Sequence, residues 1–268
     1  MKLSDAVTLL RNAGIDSATY DAREIFMRIG NLQRNEILLG NPETFDENII
    51  SAVFRRQKRE PLQYIIGEVG FYKETYKVSA DCLIPREDTE ILVDYAVKNL
   101  PRGARFIDIC TGSGCIAIST LKNTSDTSAV AIDISSAALK IAKENAELNG
   151  VSDRISFVES DVLSESVDEK VFAVLSNPPY VTEKAYLELE DEIYFEPKVA
   201  FVGGEDGLVF YKKILDIFKD KIDKNGFFAF EIGYDQAEAV RSIAEKRGLK
   251  TEIIKDLSAN DRVAVIRP

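Results

Sequence analysis

From residue 101 onward, short apolar runs alternate with amphipathic stretches, and no other feature constrains the fold of this chain as strongly. Residues 105–110 read as a strand and 114–121 as a helix; residues 129–134 are a second strand, after which Ser135 or Ser136 caps a helix running to the Asn149-Gly150 stop. Residues 155–158 and 172–175 are further strands, 207–222 is amphipathic, and 226–232, 251–254 and 263–266 complete the strand set. Such alternation predicts an α/β fold, a parallel-rich sheet with helices on both faces.

The first sixty residues read differently. Leu3, Ala6, Val7 and Leu10 recur at helical spacing before Gly14. Thr44 followed by Glu47 has the form of a capping box opening a helix over 45–60, with Ile49, Ile50, Val53 and Phe54 on it and Pro61 as its stop. From 63 to 78, aromatic and β-branched residues surround Gly67 and Gly70, the pattern of a short hairpin. The predicted division is a helical domain over 1–62, a hairpin linker over 63–82 and an α/β domain over 83–268.

Charge and composition narrow the function. A net charge of −11 disfavours tight, sequence-independent binding to phosphate backbones. Arg55, Arg56, Lys58 and Arg59 form one local basic run, read as a solvated helix face in preference to a phosphate-binding patch. Cys82, Cys110 and Cys115 are too few and too irregular for a disulfide framework or a zinc site, and a reducing cytoplasm fits them. Met1-Lys2-Leu3-Ser4-Asp5 opens no secretory signal, and no run approaches the roughly 18 apolar residues of a membrane span. Histidine is absent, which excludes an imidazole base or a His-ligated metal within this chain. A cytoplasmic monomer is expected, with no metal, no membrane and no stable nucleic-acid partner.

Candidate site residues lie at four successive strand ends, where open α/β sheets bind ligands. The segment Asp108-Ile109-Cys110-Thr111-Gly112-Ser113-Gly114 follows the first strand and opens a helix, with glycines that allow close backbone approach. Asp133 ends the second strand, placed for a ribose hydroxyl pair, and Asp161-Val162 follow the third, where an adenine would lie. Asn177-Pro178-Pro179-Tyr180 follow the fourth. Two prolines donate no N–H and are rigid, so their carbonyls stay free beside the Asn177 oxygen. That set of acceptors suits a planar –NH2 group, an amide or a nucleobase. Taken singly, the glycines read as turn residues, the acids as loop or helix-start acids, and the prolines as an ordinary loop; in this order they point to a nucleoside-type cofactor. The loop lacks the first and third glycines of the dinucleotide fingerprint, and Asp108 would repel a pyrophosphate but suit a cationic amino group. S-adenosylmethionine matches that pattern better than NAD.

Along nearly its whole length the chain resembles the release-factor glutamine methyltransferases, the HemK/PrmC family. The resemblance rests on Arg59-Glu60-Pro61-Leu62-Gln63-Tyr64-Ile65, on Leu83-Ile84-Pro85-Arg86-Glu87-Asp88-Thr89-Glu90, on the glycine loop and on Asn177-Pro178-Pro179-Tyr180. It continues through Glu196-Pro197, Gly203-Gly204-Glu205-Asp206-Gly207-Leu208, Glu231-Ile232-Gly233 and Asp261-Arg262-Val263. It implies a Rossmann-like S-adenosylmethionine-dependent methyltransferase sheet behind a small N-terminal helical domain. The reaction it implies is methyl transfer to the side-chain N5 of the glutamine in the Gly-Gly-Gln motif of peptide chain release factors, a step in translation termination, with S-adenosylhomocysteine as product. On that reading Asn177 and Pro178 accept the two amide N–H groups, Pro179 belongs to the same catalytic and substrate-binding set, Tyr180 packs against the substrate amide as a pocket wall or serves plain core packing, and Asn177 also borders the cofactor. Arg86 and Glu90 shape the pocket mouth or form only a surface ion pair, Glu196-Pro197 order the loop after Tyr180, and the helical domain docks the release factor. Cys110 stands where the family has Gly, and close approach is expected to survive if its φ is negative; Glu87 stands where the family has Pro, which loosens the loop carrying Arg86. A nucleic-acid amino-group methyltransferase, a non-catalytic cofactor-binding protein and an NAD oxidoreductase stay open as alternatives.

Overall fold

In the computed structural model, which describes residues 1–164 and 170–268, the chain begins with α1 (Leu3–Asn12), α2 (Ala18–Arg28), α3 (Arg34–Leu39), α4 (Glu47–Gln57) and α5 (Leu62–Ile66). Their apolar stripes meet in one core: Leu3, Ala6 and Leu10 from α1, Ala22, Ile25 and Phe26 from α2, and Ile49, Ala52 and Val53 from α4. Residues 1–68 form a first unit, to which the short segment 190–195 also belongs. The remaining residues, from 69 to 189 and from 196 to 268, form the second.

Local chemistry departs from the sequence expectation at three places in the first unit. Helix α4 is capped by Asp46, whose carboxylate accepts from the Asn48 N–H, while Thr44 accepts from the Asp46 N–H one step earlier. Asp and Thr are both good caps, and only the chain path decides between them. Residues 62–66 are helical rather than the start of the hairpin, and Gly67 ends that helix at φ 85°, the left-handed conformation glycine adopts freely. The basic run is only in part the expected solvated face: Arg55 and Lys58 are exposed, while Arg56 and Arg59 are drawn into ion pairs. Arg56 is buried and donates to Asp21 at 2.7 Å, Arg55 pairs with Glu60, and Arg59 donates to Glu192 at 3.1 Å and to the Gly14 carbonyl at 2.9 Å.

Strands β1 (Glu68–Phe71) and β2 (Glu74–Lys77) pair as a two-stranded sheet, and α6 (Glu90–Asn99) follows. Then come β3 (Arg105–Ile109), α7 (Cys115–Lys122), β4 (Ser128–Asp133), α8 (Ser136–Leu148), β5 (Ile155–Glu159) and β6 (Val171–Ser176). The chain ends with α9 (Glu183–Tyr186), α10 (Val209–Phe218), β7 (Ile222–Glu231), α11 (Ala237–Glu245), β8 (Lys250–Lys255) and β9 (Asp261–Arg267). The seven-stranded sheet has the order β5-β4-β3-β6-β7-β9-β8, with β9 antiparallel to both neighbours and the other pairs parallel. Alternate strand residues face opposite ways. Phe106 and Phe227 join one core with Leu92, Val93 and Ile116, while Ile107 and Phe228 join the other with Ile214, Leu215 and Val240. This is the expected α/β class. Because β3 runs on to β4 and β5 on one side and the chain then returns to β6 on the other, strand order reverses between β3 and β6. A crevice opens at such a point. Among the described residues no helix is long and apolar enough to cross a membrane.

Candidate functional site

The ends of β3 and β6 lie side by side, with Ile109 opposite Ser176 in register. The Ser176 hydroxyl donates to the Ile109 carbonyl at 2.6 Å and clamps the two ends together. Cys110 and Asn177, the next residues, therefore leave neighbouring strands at the switch point. A cavity of about 480 Å³ opens there, within the usual range for a small-molecule site. Cys110 and Gly112, Asp133, Asp161 with Val162, and Asn177 with Pro179 all line it, so the four predicted strand ends do converge on one space.

Thr111, Ser113 and Gly114 shape the loop from behind and are buried. The Gly112 N–H donates to Asp133 at 2.8 Å, and the Ser113 carbonyl accepts from Asn145 at 2.9 Å. A β-carbon on Gly114 would come within 2.8 Å of Ile118 and 3.1 Å of Ala142, so this glycine lets α7 and α8 close on each other. Cys110 takes φ 59°, against the expectation of a negative φ. That left-handed conformation costs an L-residue about 1–2 kcal/mol and explains a preference for Gly at this position. Cys110→Gly is expected to gain up to about 1 kcal/mol, because the relieved strain exceeds the roughly 0.5–1 kcal/mol of extra chain entropy that glycine loses on folding. Thermal unfolding should show a midpoint a few degrees higher; a midpoint several degrees lower would contradict the strain assignment.

Asp108 does not line the cavity, contrary to its expected contact with a cationic ligand. It is fully buried beneath the loop, where one oxygen accepts from the Thr111 hydroxyl at 2.5 Å and the Ala117 N–H at 3.2 Å and so caps α7. Burial pushes its carboxyl up to about 7, and its other oxygen has no partner among the described residues. Asp133 remains available. Its oxygens accept from the Gly112 and Ser135 N–H groups, and a carboxylate has acceptor positions left for a pair of hydroxyls. Asp161 holds Leu163 and Ser164 by its own carboxylate, which sets Val162 against the cavity. Ile134, half exposed, adds an apolar shelf. Among the described residues Asp81, Asp133 and Asp161 line the cavity and no lysine or arginine does. Carboxylates with apolar shelves and no cation suit a nucleoside ligand with positive charge and without phosphate.

The Asn177–Tyr180 turn is held from several sides. The Val181 N–H donates to Phe201 at 2.8 Å, and the Gly203 N–H donates to the Val181 carbonyl at 2.9 Å. Gly203 and Gly207 press on the backbone of the turn, where added β-carbons would stand 2.2 Å from the Pro179 oxygen and 2.3 Å from the Tyr180 oxygen. Gln236 donates to the Tyr180 carbonyl at 3.0 Å. Pro178 is buried, and Tyr180, mostly buried, donates its hydroxyl to Glu231 at 3.1 Å instead of lining the cavity.

Arg86 and Glu90 do not meet each other or the cavity lining. Arg86 pairs with buried Glu196, which also accepts from the Ile84 N–H at 2.9 Å, whereas Glu90 accepts from the Tyr72 N–H at 2.6 Å and ties down the hairpin. Glu196 thus anchors the segment whose Cys82 and Leu83 reach the cavity, while neighbouring Pro197 lines it directly. Sequence reasoning gave no role to Thr89, Glu231 or Asn145. Thr89 accepts from Asn177 at 3.2 Å and donates to Glu231 at 2.5 Å, and Asn145 bridges the glycine loop to Lys77 of β2. Thr89 and Glu231 lie inside segments already singled out by resemblance, which was the only available signal.

Residues 87–201 match the family model "Methyltransferase small domain", and residues 2–67 match "PrmC N-terminal domain". A release factor glutamine methyltransferase of Thermodesulfovibrio yellowstonii is 40% identical, over 92% of this chain and 91% of its own length. That of Fusobacterium nucleatum subsp. nucleatum is 35% identical, over 98% of this chain and 77% of its own. Among solved structures, the ribosomal protein L11 methylase of Lactobacillus delbrueckii subsp. bulgaricus superposes with a TM-score of 0.52 at 19% identity, covering 70% of this chain and 82% of the other, a likeness of fold.

Proposed function

The chain belongs to the release factor glutamine methyltransferases, and from that premise we propose that it methylates the side-chain N5 of the Gly-Gly-Gln glutamine in peptide chain release factors with S-adenosylmethionine as donor. The observation that carries this reading is the placement of Asn177 and Pro179 on a largely apolar cavity that Asp81, Asp133 and Asp161 also line and that no lysine or arginine among the described residues reaches. S-adenosylmethionine, when bound, supplies a methyl group already activated by a sulfonium. In this reading Asp133 takes the ribose hydroxyls, Ile134 and Val162 flank the base, and the turn at Cys110–Gly112 gives the close backbone approach.

An amide nitrogen is a poor nucleophile because its lone pair is delocalised into the carbonyl. The Asn177 side-chain oxygen and the Pro178 carbonyl accept its two N–H groups and fix its orientation. Both acceptors interact more strongly as positive charge grows on nitrogen, so they lower the barrier more than they tighten binding. Positioning alone is worth up to about 7–11 kcal/mol in favourable intramolecular cases. The proton leaves after transfer, so no imidazole base is required. Pro179 lines the cavity and limits the space for the amide.

The helical unit is the docking surface in this reading, supported by the exposed apolar side chains Leu38, Leu39 and Phe45. The enzyme acts as a cytoplasmic monomer with the release factor as a transient protein partner. The test is incubation with a release factor and S-adenosylmethionine, followed by tandem mass spectrometry. One added methyl on the Gly-Gly-Gln glutamine is expected. Label appearing only in nucleic acid, or nowhere, would reject the assignment.

A further inference from the structure

The hydrogen bonds behind Asn177 have a direction that can be read from one end. Glu231, the last residue of β7, is fully buried in the second unit. A carboxylate can only accept. It takes the Tyr180 hydroxyl on one oxygen at 3.1 Å and the Thr89 hydroxyl on the other at 2.5 Å. Thr89 has a single hydroxyl proton, and that proton is committed to Glu231. Towards Asn177 the Thr89 oxygen can therefore only accept, and it does so from the Asn177 side-chain N–H at 3.2 Å. Turning the Asn177 amide over would set its oxygen against the Thr89 oxygen with no proton between them, a mismatch inside a buried cluster.

We propose that Glu231 and Thr89 are positioning residues, a two-step relay that sets the orientation of the Asn177 amide and thereby presents its oxygen, not its nitrogen, to the cavity. Neither residue touches the substrate. Their effect rests on the reading that the Asn177 oxygen accepts the N–H of the amide to be methylated. The relay reaches across the fold: Thr89 precedes Asn177 by 88 residues and Glu231 lies 142 residues beyond Thr89. Burial raises the Glu231 carboxyl above its ordinary value and nearby Asp88 adds to that, while the hydrogen bonds from Thr89 and Tyr180 and the positive charge of Arg262 pull the other way. Arg262 is held in turn by Asp88 and Asp256, each at 3.2 Å. A protonated Glu231 could donate; an ionised one enforces the sequence of donors described here.

The relay makes an unusual prediction for Glu231→Gln. The new –NH2 can donate to Thr89, which frees the Thr89 proton for the Asn177 oxygen and inverts the amide with almost no change of shape. Thr89→Val instead removes the hydroxyl at constant volume, and Thr89→Ser keeps it. Two readouts decide. In protein labelled with 15N-asparagine, the Asn177 side-chain amide is assigned by its loss in Asn177→Ala, and its exchange with water is measured without any substrate. Exchange should quicken at least about tenfold in Glu231→Gln and Thr89→Val and stay near wild type in Thr89→Ser, as loss of one buried hydrogen bond requires. With a release factor as substrate, kcat should fall about 10–100-fold in the first two variants while the KM for S-adenosylmethionine stays within about threefold, and Thr89→Ser should restore turnover.

An unmoved Asn177 amide in both Glu231→Gln and Thr89→Val overturns the relay, as does equal loss of kcat and cofactor affinity. Should Glu231→Gln fail to fold, Thr89→Val against Thr89→Ser still decides. If the wild-type protein methylates no release factor, the functional reading fails, and the amide exchange rates continue to test the relay by themselves.

Discussion

Asn177→Ala should lose methylation by about 10²–10³-fold in kcat while binding S-adenosylmethionine within about threefold of wild type. The size follows from what one preorganised hydrogen-bonding group at a reacting centre is worth. The asymmetry follows from geometry. Asn177 is only one of many residues around the cavity, and the groups assigned to the cofactor, Asp133 and the Cys110–Gly112 turn, hang on other strand ends. The turn itself is held by Gly203, Gln236 and Tyr180, none of which depends on the Asn177 side chain. Calorimetric titration with the cofactor beside steady-state methylation of a release factor would measure both numbers. Unchanged turnover would remove Asn177 from the mechanism.

Gly203→Ala is expected to lower turnover by about 10²-fold without altering any group assigned to chemistry. The added β-carbon would sit 2.2 Å from the Pro179 oxygen and 2.9 Å from the Tyr180 α-carbon, where ordinary contacts begin near 3.4 Å. Both neighbours are backbone, so no side chain can swing away, and the turn must shift by the order of an ångström. A displacement of that size at a reacting centre costs about 10²-fold. Stability should fall as well, by about 1–3 kcal/mol, the usual cost of overpacking. Gly70→Ala is the control: its β-carbon meets nothing within 4 Å, so its effect should stay within about 0.5 kcal/mol. Wild-type turnover in Gly203→Ala would mean that the turn tolerates movement and that its rigidity is not part of the mechanism.

Much of the architecture was legible because parallel strands covered on both faces are rich in apolar residues, as β6 and the middle of β4 are, with β3 interrupted by Asp108. The convergence of Gly112, Asp133, Asp161 and Asn177 was legible for a related reason: in such a sheet the carboxyl ends lie on one edge, so residues just past successive strands meet. Three details were not. Asp108 has the composition of a ligand contact, but its position on β3 puts it under the loop, where it caps α7. Arg86 and Glu90 sit at a spacing that invites an ion pair, yet each is claimed by a partner far along the chain, Glu196 and the Tyr72 backbone. Arg55, Arg56 and Arg59 look like a basic surface until Glu60, Asp21 and Glu192 are placed beside them.

Local residue patterns set the α/β class, the helical N-terminal region, the order of the strand-end residues and, through Asn177-Pro178-Pro179-Tyr180 with its flanking segments, the chemistry to look for. These are properties of periodicity and local stereochemistry, which neighbouring residues set among themselves. Long-range packing was needed to fix which carboxylate faces the cavity and which is buried, the left-handed turn at Cys110, and the place of Thr89 and Glu231 behind Asn177. Those outcomes depend on where a side chain's single proton or lone pair finds its partner. When the partner is a hundred residues away, the direction of the hydrogen bond exists only once the sheet has brought the two together.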